Sequence, residues 1–91
     1  MAPTIQVEKL GGHKFRVRVI EKESETTHHV RLNEEDYRRL SGGKIAPEEL
    51  IRRSFEFLLV REPKESILRE FDLPLIGHYF PEYERELSRE I

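Results

Sequence analysis

Cysteine is absent from the chain. No disulfide forms and no thiolate serves a substrate or a metal, which suits a reducing cytoplasm. Long apolar runs are missing too. None approaches the ~18 residues of a membrane span, and the first four residues lack the basic-then-apolar pattern of a leader. A strong charge of one sign is also lacking. The net charge is −2 with 37% charged residues, far from the basic footprint of a dedicated nucleic-acid binder. The bias that exists is graded along the chain. Residues 1–32 hold six Lys/Arg against four Glu, residues 33–62 six against seven acids, and residues 63–91 four against seven. There are no internal repeats and no Gly/Ser-rich linker, so residues 1–91 read as a single domain.

What is present is periodic. "TIQVEKL" (4–10), "HKFRVRVIE" (13–21) and "TTHHVRL" (26–32) alternate apolar and polar residues, as half-buried strands do. Gly11-Gly12 marks a hairpin. Placing Val7 opposite Phe15 or Val17 requires an odd loop or a bulge there. For the second hairpin, an even loop around Glu23-Ser24 pairs Arg18 with His29 and Arg16 with Arg31. Asn33 caps the helix that follows, with Glu34, Glu35 and Asp36 in its first turn, and Gly42-Gly43 ends it. Pro47 opens a longer helix that stops before Pro63. On that helix Leu50, Ile51, Phe55, Phe57, Leu58 and Leu59 sweep an arc of roughly 200°, about twice what a helix lying on one sheet needs. Ser54 lies inside the arc. The aromatic-rich stretch "FDLPLIGHYFPEYE" (71–84) is the natural cover for the extra face. Residues 63–71 are expected to be helical, Asp72 to cap a further turn with Pro74 inside it, and "EYERELSRE" to form a charged, fraying final helix. The expected fold is α+β: a three-stranded antiparallel β-meander packed on one long helix, with short C-terminal helices.

Few motifs carry chemistry. His28 and His29 point to opposite faces of a strand and cannot share an ion, and no His-x-x-x-His spacing exists. "SGGKIAP" (41–47) joins two helices and lacks the remaining residues of a phosphate loop. Ser66, Asp72 and His78 include the residue types of a hydrolytic triad, but no nucleophile-elbow pattern surrounds a serine. No catalytic residue, metal or cofactor is expected. The candidate surface is the outward face of the sheet. There Lys14, Arg16, Arg18, His29 and Arg31 form a flat basic patch, a possible anion or nucleic-acid surface without the aromatics that stack single strands.

Two resemblances extend this reading. "SFEFLLVREPKESILREFDLPLIGHYFPEYE" (54–84) resembles the C-terminal signature of a family of small, stand-alone bacterial proteins without an assigned role, which implies a cytoplasmic protein and no particular substrate. "THHVRLNEEDYRRLSGGKIAPEELIRRSFEFLL" (27–59) is similar to ribbon-helix-helix repressors and antitoxins. That likeness implies a dimer in which Thr27, His29 and Arg31 enter the major groove and the helix start near Pro47 and Glu48 approaches phosphate. The leading expectation is a small non-catalytic cytoplasmic interaction or regulatory module, with a protein partner or self-association and no membrane. The alternative is a dimeric ribbon-helix-helix-like DNA-binding regulator or antitoxin.

Overall fold

A computed structural model describes residues 3–91. The element order is β1 (Thr4–Gly11), β2 (Lys14–Glu21), β3 (Ser24–Arg31), α1 (Glu34–Ser41), α2 (Pro47–Arg61), a 3-10 turn (Lys64–Ser66), β4 (Glu70–Asp72), α3 (Leu75–Tyr79) and α4 (Tyr83–Glu90). The fold is α+β. Its first three strands form the antiparallel meander, and the sheet order is β1-β2-β3-β4.

Between β1 and β2 a bulge at Lys9–Gly11 sets Val7 opposite Val17 and Ile5 opposite Val19. The turn needs glycine. Gly11 and Gly12 hold φ of 120° and 58°, a region that side chains disfavour. The β2–β3 register corrects the expected one. Arg18 faces Thr27, Arg16 faces His29 and Lys14 faces Arg31. The two-residue turn Lys22–Glu23 closes Glu21 on Ser24, sliding the pairing by two positions. An even slip leaves every side chain on its face, so Phe15, Val17, Val19, His28 and Val30 are all buried inward.

The helix signals hold. Asn33 Oδ1 accepts from the Asp36 amide at 2.8 Å, and Gly42 ends α1 at φ 65°. On α2, Leu50, Ile51, Ser54, Phe55 and Leu58 are buried. Its outer side is an ion ladder. Arg52 and Arg53 both bind Glu49, the latter at 2.8 Å, and Arg52 reaches Glu56 at 2.7 Å. The Arg52 guanidinium, then Arg53, pull the Glu49 carboxyl down to about 2.

Beyond Pro63 the chain departs from expectation. Only Lys64–Ser66 is helical, as one 3-10 turn. The chain then extends and adds β4 parallel to β3, with Phe71 beside Val30 and Asp72 beside Arg31. The free edge of β3 supplies backbone partners that a short solvated helix could not match: His29 N–H donates to Arg69 O at 2.7 Å and Leu73 N–H to Arg31 O at 2.9 Å. Asp72 is therefore a strand residue paired with Arg31 at 2.7 Å. Pro74, not Asp72, sits at the N-cap of α3. The final helix is docked rather than frayed. Tyr83 and Leu87 are buried, Tyr83 meets Ser54 at 2.7 Å, and Arg39 holds Glu84 at 2.7 Å. Because Ser54 Oγ donates to the Leu50 carbonyl at 2.8 Å, the Tyr83 hydroxyl is the donor to Ser54. Burial raises the Tyr83 phenol well above its ordinary value.

The wide arc of α2 is thus covered on two sides. One side packs on the sheet. On the other, Phe57 stacks edge-on with Phe80 and Tyr83, ring centroids 5.9 and 5.3 Å away.

Candidate functional site

The five residues of the basic patch lie on one face of β2 and β3, since paired antiparallel residues point the same way. Their charge is largely offset. Arg16 pairs with Glu8 at 2.8 Å and Arg31 with Asp72 at 2.7 Å. Arg18 grips Glu25 through two bonds of 2.7 and 3.0 Å and touches Gln6 at 3.2 Å. The Glu25 hydrogen bond raises the Arg18 pKa, and the same bond lowers that of Glu25. Opposite signs alternate across the sheet, so Lys14 and His29 stand in a mixed polar surface rather than a basic one. β3 is also an interior strand, held by β2 on one edge and β4 on the other. A ribbon shared between two subunits requires a strand with a free edge.

A different feature stands out on the opposite layer. The end of α2, the 3-10 turn, β4 and α3 enclose an open apolar groove of about 400 Å³. Leu58, Ile67, Phe71 and Ile76 form its buried floor. Its rim carries Leu68, 47% exposed, and Tyr79, 63% exposed. Glu62, half-buried, supplies a carboxylate to the wall. The neighbouring Arg61 does not neutralise it. That guanidinium lies 3.6 Å over the Phe57 ring and binds Glu82 and Glu86 instead. Among the described residues Glu62 forms no ion pair.

Two buried polar groups hold the groove's wall in place. His28 Nδ1 donates to the Leu68 carbonyl at 2.8 Å, and Nε2 accepts from the Thr26 hydroxyl at 2.8 Å. A carbonyl only accepts, which fixes the neutral tautomer. Burial lowers the His28 pKa. The second group is Lys64. Its side chain is 3% exposed, with Nζ bonded to Glu21 at 2.8 Å and Glu65 at 2.6 Å. The Glu21 bond, then the Glu65 bond, raise its pKa.

The triad types are dispersed: Asp72 faces Arg31, and His78 is exposed beside Tyr79 at a centroid distance of 5.8 Å. Among the described residues no three His, Asp or Glu side chains gather as a metal site, and no helix is long and apolar enough to cross a membrane. Sequence reasoning made residues 71–84 the cover of the second α2 face, with Phe71 and Phe80 in the core. Phe71, Leu73, Ile76 and Tyr83 are buried, but Phe80 is only half-buried and Tyr79 is exposed. In comparisons with known proteins the chain matches no family model, no curated protein and no solved structure.

Proposed function

We propose that this protein is a small non-catalytic cytoplasmic interaction module that binds a protein partner through the groove between α2, β4 and α3. One observation carries the reading. An open apolar groove of about 400 Å³ keeps Leu68 and Tyr79 in water although Phe71, Leu73, Ile76 and Tyr83 beside them are buried, and apolar surface left uncovered beside a built cavity marks a binding site. The lack of cysteine fits the proposed compartment. The DNA-binding alternative has less support, because three of its arginines already hold carboxylates.

Photo-crosslinking in cells tests the choice. A benzophenone side chain placed at Tyr79 is expected to capture one dominant protein partner. The same group at Arg16, on the outer sheet face, is expected to capture little. Substituting Leu68→Ser should abolish the Tyr79 adduct without changing the melting temperature. Capture from Arg16 instead, or capture of nucleic acid there, would transfer the function to the sheet face.

A further inference from the structure

Building on that reading, we infer that the groove and the open edge of β4 act together as a receptor for an extended, basic-apolar peptide, which joins the sheet as a fifth strand beside β4.

The backbone makes the first half of the case. In the parallel register, β4 turns the amide groups of Phe71 toward β3, between the bonds that Arg69 O and Leu73 N–H make with His29 and Arg31. Residues alternate along a strand, so the N–H and C=O groups of Glu70 and Asp72 face away from β3. β4 is the last strand of the sheet, and Glu70 and Asp72 are exposed. Two donors and two acceptors thus wait on an uncovered edge, the arrangement that strand addition uses.

The side chains make the second half. Phe71 is both the central residue of β4 and part of the groove floor. A strand laid ~4.8 Å outside β4 places its own inward residue next to Phe71, over the groove. A large apolar side chain there would be covered by Leu68 and Tyr79. The chemistry flanking it is acidic. Within residues 62–72, Lys64 takes up Glu65 and Arg31 takes up Asp72, which leaves Glu62 and Glu70 against the single cation Arg69. Glu62 in the wall and Glu70 on the outer face of the edge are the groups a partner meets. A lysine or arginine beside the apolar anchor would pair with them. Alternation of apolar and basic residues is therefore what both faces of the added strand require.

Selection from a random dodecapeptide display library on the full chain tests this, with the Tyr79→Ala protein as the counter-selection surface. Enriched peptides are expected to alternate large apolar residues with Lys or Arg. Bound to isotope-labelled protein, the consensus peptide should slow hydrogen exchange at the Glu70 and Asp72 amides. Methylating its backbone nitrogen opposite Glu70 should weaken binding ~tenfold or more, because one edge hydrogen bond is lost and the strand can no longer approach. Glu62→Gln should weaken it about two- to fivefold, the worth of a partly exposed ion pair, with thermal stability retained. Enriched peptides that are acidic, or that tolerate the methylation, would overturn strand addition while leaving the groove as a docking site. No enrichment over the counter-selected surface, or amide shifts confined to the outer face of β2, would overturn both.

Discussion

His28 reaches across the molecule to Leu68: its Nδ1 lies 2.8 Å from the Leu68 carbonyl, forty residues along the chain. The ring is fully buried, 5.3 Å from Phe55 by centroids. One neutral imidazole therefore fastens the groove's rim to the inner face of the sheet.

That fastening makes stability depend on pH. Burial holds the folded-state pKa of His28 below the ordinary imidazole value of 6.5. Above that value the ring is neutral in both states and its contribution is complete. As pH falls below 6.5 the unfolded chain binds the proton first, and stability is lost until the folded-state pKa is reached. The Glu49 carboxyl, held at about 2 by its arginines, loses its contribution only below the ordinary 4.5. The two windows are therefore separable. Urea midpoints should decline between pH 6.5 and 5 in the native sequence and stay level across that range in His28→Leu. An NMR titration giving His28 a midpoint at or above 6.5 would contradict the assignment.

The two ends of α1 rest on single residues. Asn33→Ala removes the acceptor of the Asp36 amide and should cost ~1 kcal/mol, while Asn33→Asp should be nearly neutral. Gly42→Ala meets no clash, its added carbon having only Lys44 side-chain atoms at 3.9–4.0 Å. The left-handed φ of 65° alone should cost ~1–2 kcal/mol. Chemical denaturation with an unchanged m-value checks both.

How far these features could be read in advance differs by residue. Alternation fixed the faces of Val17, His28 and Val30 without fixing the register, since a slip of two residues preserves every face and only the turn at Lys22–Glu23 chooses between them. Local chemistry predicted α1 and α2 because Asn33, Gly42 and Pro47 act on their nearest neighbours. β4 was illegible for the opposite reason. Three residues have no period, and what makes Glu70–Asp72 a strand is the edge of β3, far away in sequence. The basic patch was legible as a face but not as a charge, because Glu8, Glu25 and Asp72 each reach their arginine from the neighbouring strand.

The pairing of that patch bears on DNA. Arg16, Arg18 and Arg31 would have to leave Glu8, Glu25 and Asp72 before meeting phosphate. Fluorescence-anisotropy titrations with random duplex at several salt concentrations should therefore show weak binding at physiological salt. Micromolar binding, with a steep salt slope that Arg18→Ala reduces, would instead identify the sheet face as a nucleic-acid surface.

The aromatic stretch gives the sharpest mechanical test. Phe71 is 6% exposed and lies 6.1 Å from Phe55 between ring centroids, joining β4 to the centre of α2. Phe71→Ala should cost ~3–5 kcal/mol, a large part of the ~5–15 kcal/mol that holds a small domain together. Tyr83→Phe is the control. It removes a hydroxyl whose partner, Ser54 Oγ, keeps its bond to the Leu50 carbonyl, so the loss should be only ~0.5–1.5 kcal/mol. Deleting residues 71–91 should remove cooperative melting altogether, because Ser54, Phe57 and Leu58 lose the layer that covers them and β3 loses its parallel neighbour. If the stretch were instead a mobile arm over a dimer interface, the truncated chain would stay folded and dimeric. Thermal melts with light scattering on the three proteins distinguish the outcomes. A sharp transition in the truncated chain would mean that α2 buries its second face against another copy, and that Phe71 and Tyr83 are contacts made after folding rather than parts of the core.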